Sequence, residues 1–326
     1  MKELGWIPVG FAICVLCGEK ALAWAQEGHA AVAAIAEHLI SPTTQTKVQE
    51  LLAEGGDKDL VSVVSWADQV IIAAYDEGPL RGNQEAIEFN QKFPKSGMWH
   101  FVNLPLGATS YDEVRSFITT DDVIHAISRC IQVLESPMPE AEPFTKVQAL
   151  RLLVHFVGDI HQPLHCGTGF YSFPGTGAPH LITAPGEASG KLNDRGGNLL
   201  FYGSNATEQL HALWDRVLVE KVDNSIDYKV LADFLTKSYL LKEMARTPGD
   251  YHNWAEAWAI ESVSIAALAY RGISFGMADF DTNQHLVRIH ITLPTNYLET
   301  NRAYAAQQLA RAGVHLAQLL DSVGWQ

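Results

Sequence analysis

Beyond Trp24, apolar residues recur at three- and four-residue spacing, the period that predicts helices packed on a core. The stretches are residues 30–39, 45–52, 61–74, 122–134, 146–160, 208–219, 228–244, 251–270 and 298–323. Gly and Pro punctuate them at Gly55-Gly56, Pro94, Pro105, Pro137, Pro163 and Pro294. Residues 167–197 are rich in Gly, Pro, Ser and Thr and predict one long loop, while residues 285–293 alternate as a strand or extended edge does. With no internal repeat, charge block or low-complexity linker, residues 24–326 are expected to form one all-α domain of many helices. Long loops and at most a small β-hairpin complete the expectation.

The pattern before Trp24 differs. Lys2, the apolar run 7–17 and the small residues Ala21 and Ala23 around Leu22 read as a secretory signal, cleaved at about Ala23. The mature domain is then residues 24–326, beginning at Trp24 and secreted or periplasmic. Cleavage leaves Cys130 and Cys166, either as one disulfide or as two small buried thiols.

Charge changes the picture in one direction. Asp and Glu number 37 against 23 Lys and Arg, a formal net charge of −14. The signal holds two bases and two acids (Lys2, Lys20, Glu3, Glu19), so its removal leaves the balance unchanged. Such an acid excess argues against a broad basic surface for nucleic acid.

The richest chemistry lies in His155-Phe-Val-Gly-Asp159-Ile-His161-Gln-Pro163-Leu-His165. His155 and Asp159 stand four apart, so on a helix both side chains leave one face. Pro163 ends that helix and lets His165 turn back towards it. A second pair with the same spacing follows in His211-Ala-Leu-Trp-Asp215. Imidazole and carboxylate in repeated helical pairs suit zinc and similar metals. His29, Asp68 (in Ser65-Trp-Ala-Asp68) and His100 (in Met98-Trp-His100) add further ligand types.

Taken in order, Trp24, His29, Asp68, His100, His155, Asp159, His165, His211 and Asp215 closely resemble the S1/P1 nuclease family of zinc-dependent single-strand nucleases. The resemblance extends to Asp194-Arg-Gly-Gly-Asn198, to the segment from Leu210 to Asp215 and to the C-terminal helix. It implies the helical phospholipase C/P1 nuclease fold and three zinc ions per chain. It also implies that the α-amine and carbonyl of Trp24 join His29 at one ion, with Asp159 bridging to the next. Asp68, His100 and His155 complete the second ion, and His165, His211 and Asp215 hold the third. A free α-amine ligates metal where an internal peptide nitrogen does not do so readily, so processing at Ala23 becomes a condition for activity.

The implied reaction is hydrolysis of single-stranded DNA and RNA to 5′-nucleotides, with 3′-nucleotidase activity. A metal-activated water attacks phosphorus, the 3′-oxygen leaves, and Asp68 and Asp159 carry catalytic roles. Phe101 matches the family's base-stacking position, and Asn103 stands where relatives usually have Asp facing the base. Asn198 is taken as a further substrate contact. Three residues after Asp68, Ile71 occupies a position that is often basic in the family, which leaves Arg81 or Arg195 to meet the phosphate. Tyr171, Phe173, Phe201 and Tyr202 offer a second stacking site or pack the long loop. A monomer with no stable membrane partner is expected. The alternatives are a zinc-dependent phospholipase C or general phosphomonoesterase on the same ligands, and a non-catalytic zinc-binding protein.

Overall fold

The computed structural model describes residues 24–326 apart from 175–176, 205, 225–226, 240, 242–243 and 245. The signal segment and its cleavage point lie outside the described residues.

Helices dominate. They run α1 (Gln26–Leu39), α2 (Pro42–Glu54), α3 (Leu60–Val63), α4 (Trp66–Ala73), α5 (Gln84–Lys92), α6 (Val123–Glu135), α7 (Lys146–His161) and α8 (Pro163–Cys166). After the long connection come α9 (Leu210–Ala212), α10 (Leu218–Asp223), α11 (Tyr228–Ser238), α12 (Trp254–Ala269) and α13 (Tyr297–Ser322). The all-α class is therefore as expected from the apolar period.

The central helix is α7. It starts on a capping box, in which the Thr145 side chain accepts from Gln148 N and Gln148 reaches back to the cap. Nearly every residue from Val147 to His161 is buried, as befits a helix enclosed on all sides. Arg151 anchors it. Its guanidinium donates to Asp57 Oδ2 at 2.8 Å, to both Glu85 oxygens at 3.1 Å and to the Gly55 carbonyl at 3.0 Å. These bonds fix α7 against α5 and the turn that follows α2.

The alanine-rich α1 crosses the long α13 closely. A Cβ on Gly313 would stand 2.5 Å from Ile35 Cγ2, and one on Gly28 would stand 2.9 Å from Trp24 Cβ. Small residues let α1 and α13 pack closely. Trp24, Trp214 and Trp258 are among the largest fully buried side chains, in a core that spans the helices.

Several details depart from expectation, among them the unpredicted α5 and the end of α11 at Ser238 rather than at 244. The helix predicted over residues 61–74 is interrupted at Val64-Ser65, giving α3 and α4. The helix predicted over 208–219 opens on a two-residue strand and contains a π-helical turn, Leu213–Val217. The strand content also exceeds the small hairpin expected, because the predicted loop 167–197 and its surroundings pair into small sheets. Strands β1 (Leu104–Pro105) and β2 (Gly167–Thr168) pair in parallel. Next, β3 (Phe170–Ser172) lies between β4 (His180–Ile182) and β5 (Leu192–Asn193). Last, β6 (Leu200–Tyr202), β7 (Glu208–Gln209), β8 (Ser274–Phe280) and β9 (Leu286–Thr292) form a sheet in the order β7-β6-β9-β8. The predicted strand at 285–293 is β9. Cys130 and Cys166 are buried free thiols, both pushed up by burial, so no disulfide joins them.

Candidate metal centre

Three groups of ligand-type side chains converge around the C-terminal half of α7. They are His29, His155 and Asp159; Asp68, His100 and His155; and His165, His211 and Asp215, with the ligand atoms of each group within 4.8 Å of one another. Every side-chain ligand expected from the sequence is thus brought into one neighbourhood.

Asp159 is its pivot. Oδ1 lies 3.4 Å from His29 Nε2 and 3.6 Å from His165 Nδ1, while Oδ2 lies 3.0 Å from His100 Nδ1 and 3.2 Å from His155 Nε2. One carboxylate thus faces different histidines with each oxygen. Asp68 Oδ1 stands 3.7 Å from both His100 Nδ1 and His155 Nε2. His211 Nε2 is 3.4 Å from Asp215 Oδ2, and the His165 and His211 rings stack at 5.0 Å. The His29 and His155 rings stack at 4.2 Å. That approach requires Gly158, since a Cβ there would stand 2.3 Å from His29 Nδ1.

The outer hydrogen bonds aim the rings. His155 Nδ1 donates to the Val64 carbonyl at 2.5 Å, the carbonyl at the break between α3 and α4. His165 Nδ1 donates to His100 O and His211 Nδ1 to Gly196 O, each at 2.7 Å. With Nδ1 held outside, Nε2 faces inward, the usual arrangement around a bound metal, although His155 Nε2 also lies 3.1 Å from His100 Nδ1. Gln162 does the same for a carboxylate. Its Nε2 donates to Asp215 Oδ1 at 2.6 Å, while its Oε1 accepts from Leu164 N. Gln162 is fully buried and was missed by the sequence reading, although an amide wedged between a helix end and Pro163 was a usable signal.

Trp24 lies beside this group. It is fully buried, and the next residue, Ala25, donates its N–H to the Asp215 carbonyl at 2.7 Å. The segment carrying Trp24 is thereby tied to the π-helical turn carrying Asp215. Such turns interrupt the regular ladder and are frequent at functional positions.

Buried polar atoms normally find partners. Here His29 Nδ1 and Nε2, both Asp159 oxygens, His165 Nε2 and Asp215 Oδ2 are buried with none in hydrogen-bond geometry. Burial and neighbouring charges also move the ionisation of these groups in opposite directions. Burial depresses His155, but Asp159 and Asp68 override it and raise the group to about 9. His165, beside the same Asp159, is taken down to about 3 by burial and by His211. Burial lifts Asp215 to about 6 against His211 and Gln162, whereas Asp159 is held well below the carboxylate range by His155 and His165 despite its burial. Imidazole nitrogens and carboxylates that face inward without hydrogen-bond partners fit divalent cations.

The expected substrate residues Phe101, Asn103 and Asn198 are half-buried. Phe101 follows His100 in extended conformation, and alternation puts Phe101 and Asn103 half-buried on one side with Val102 and Leu104 buried on the other. Ile71 is buried on α4 and only 8% exposed, so no cation replaces it from that position. Arg81 is engaged in a two-point ion pair with Asp76 at 2.9 Å on the surface. Arg195 adopts φ 56°, a left-handed conformation unusual for a side chain-bearing residue. Asn198 is half-buried, donating Nδ2 to Arg195 O at 2.9 Å while Oδ1 is buried without a partner. Tyr171 and Phe201 pack inside, Tyr171 bonded to Asp194 and Phe201 beneath the Arg288 guanidinium at 4.6 Å.

Similar sequences are found among proteins named as nucleases. Endonuclease 4 of Arabidopsis thaliana is 26% identical over 332 residues, spanning 93% of this chain and 90% of that protein. Nuclease S1 of Aspergillus oryzae (strain ATCC 42149 / RIB 40) is 23% identical over 330 residues, spanning 98% of each. Nuclease P1 of Penicillium citrinum is 29% identical over 149 residues, 44% of this chain and 47% of its own. The family profile described as S1/P1 Nuclease matches residues 24–324, a range that includes all three ligand groups, and the chain belongs to the S1/P1 nuclease family.

Proposed function

We propose that the chain is a zinc-dependent nuclease that hydrolyses single-stranded DNA and RNA to 5′-nucleotides and removes the phosphate from 3′-nucleotides. The observation that carries this reading is the set of partnerless, inward-facing ligand atoms on His29, Asp159, His165 and Asp215. Three zinc ions would be held by these ligands, with His155, which stands near both His29 and Asp68, placed at the second. Trp24, His29 and Asp159 take one, Asp68, His100, His155 and Asp159 the second, and His165, His211 and Asp215 the third. Trp24 enters through its amine after processing at Ala23, in a secreted or periplasmic protein that acts as a monomer.

Zinc in such a site lowers the pKa of water towards neutrality and offsets the negative charge of the phosphate. The protein's own groups do the rest. Asp68, half-buried at the edge, accepts a hydrogen bond from the attacking water and orients it towards phosphorus. Asp159 would hold two of the ions, since its two oxygens face different histidines. Phe101 stacks on a nucleobase and Asn103 offers a donor and an acceptor to its edge, which favours strands whose bases can splay out. Asn198 Oδ1 adds an acceptor. The P–O3′ bond breaks, and the phosphate stays on the 5′ side of the product.

A phospholipase C or phosphomonoesterase would use the same ligands, and the buried Ile71 favours it to the extent that a phosphate clamp is missing from α4. Hydrolysis of single-stranded DNA, RNA, 3′-AMP and phosphatidylcholine by the protein beginning at Trp24 tests the choice. Turnover of the nucleic acids and 3′-AMP is expected, and turnover of the lipid alone overturns the reading.

A further inference from the structure

Asp194 is a fully buried carboxylate that contributes no ligand to the three groups. Its surroundings are all donors. Oδ1 accepts from Thr168 Oγ1 at 2.9 Å, Gly197 N at 2.9 Å and Gly169 N at 3.3 Å. Oδ2 accepts from Tyr171 Oη at 2.6 Å, and Tyr270 Oη lies 2.9 Å from both oxygens. No side chain other than a carboxylate offers acceptor positions in all these directions.

The bonds continue towards the metal centre. Thr168 Oγ1 accepts from Gly196 N at 2.7 Å, so its own proton is directed to Asp194. Gly196 has φ 63° and is pressed against α8, where a Cβ would stand 2.0 Å from Leu164 O. Its carbonyl accepts from His211 Nδ1 at 2.7 Å. A parallel link runs from Asp194 to Gly197 N, and from Gly197 O to His211 N at 3.4 Å. Both faces of the Gly196-Gly197 turn are therefore referred to one carboxylate, and the turn aims the imidazole whose Nε2 faces Asp215.

We infer that Asp194 is a positioning residue for His211, acting through Thr168 and the Gly196-Gly197 backbone to set metal affinity at the His165, His211 and Asp215 group. The inference rests on the metal-binding reading proposed above. It also gives the Asp194-Arg-Gly-Gly-Asn198 segment a role distinct from substrate contact. The carboxylate orients a ligand in the way that outer hydrogen-bond partners orient metal-bound histidines elsewhere.

The test is elemental analysis of zinc-loaded protein beginning at Trp24, equilibrated against a graded chelator series, with circular dichroism confirming the fold of each variant. Asp215→Ala defines the loss of the ion in this group. Thr168→Val, nearly isosteric, removes the bonds to Gly196 and Asp194 and leaves Asp194 with Gly169, Gly197, Tyr171 and Tyr270. It is expected to release that one ion at about tenfold lower chelator, with Thr168→Ser behaving as wild type. Asp194→Asn, which sets an amide donor among donors, is expected to do the same, and Thr168→Val decides the matter if Asp194→Asn fails to fold. Wild-type retention in Thr168→Val overturns the inference, as does an equal weakening of every ion. Unchanged metal content in Asp215→Ala would instead overturn the metal reading itself.

Discussion

At the scale of single residues, the site rests on Asp159, whose two oxygens face four histidines without a hydrogen bond in proper geometry. Asp159→Ala is expected to lower nuclease activity by about 10²–10³-fold or more and to reduce the bound metal. Activity and metal content together check this, since loss of activity with full metal content would assign Asp159 another role. Gln162→Ala frees Asp215 Oδ1 and is expected to weaken metal binding about 10- to 100-fold without abolishing the fold, measured by chelator competition. The pairs His155/Asp159 and His211/Asp215 stood out in the sequence because residues four apart on a helix share a face, whereas His29, Asp68 and His100 stood out only through the family resemblance. Gln162 and Gly158 did not, because their roles depend on what the fold brings opposite them. The carbonyls of Val64, His100 and Gly196, which aim three imidazoles, have no side-chain signature at all.

At the scale of elements, close helix contact sets how near the ligands come. Gly158→Ala and Gly313→Ala should each destabilise the protein by about 1–3 kcal/mol through overpacking, measured by chemical denaturation. Only Gly158→Ala should also lower metal content, since its added methyl meets the His29 ring, whereas at Gly313 it meets Ile35. A second contact ties α6 to the segment before α12 and to the C-terminus. Glu135 accepts from Tyr251 Oη, from Gly324 N and from His252, whose ring also faces Asp250. Asp250 and Glu135 raise His252, so its stabilising contribution is present below its ordinary value and lost as pH rises through the raised one. Burial opposes ionisation of Glu135, yet its hydrogen bonds to Tyr251 and Gly324 lower it, so its contribution is lost as pH falls through that depressed value. The Tm difference between wild type and His252→Gln should therefore be largest in mildly acidic solution and vanish in alkali. A difference independent of pH would contradict the ion pair. Long periodic helices such as α6, α7 and α13 were readable because each buries a continuous face. The break at Val64-Ser65 was hidden inside an apolar pattern that continues through it, and α5 was hidden because only Ala86 and Phe89 are buried along it. Strands of two or three residues, such as β2 and β5, are too short to show a period.

At the scale of the molecule, the formal charge of −14 belongs to the polypeptide without ions. Three zinc ions against the three Asp ligands would make the centre locally about +3, so a polyanion can meet positive charge without a basic surface. The outer surface still repels it at long range. Binding of single-stranded DNA to a slowly reacting variant should show a shallow salt dependence, equivalent to about two phosphate contacts. A slope several times steeper, read from binding over a salt series, would reveal an extended basic track that the charge balance does not predict. Because folding and metal binding are linked, stripping the ions should also lower the Tm by on the order of 10 °C. No helix among the described residues is long and apolar enough to cross a membrane. The most direct test of the whole account is single-strand DNA hydrolysis by the protein beginning at Trp24, assayed before chelation, after complete metal removal and after zinc is restored. The account predicts activity, its loss, and its return, and undiminished hydrolysis by the metal-free protein would contradict it.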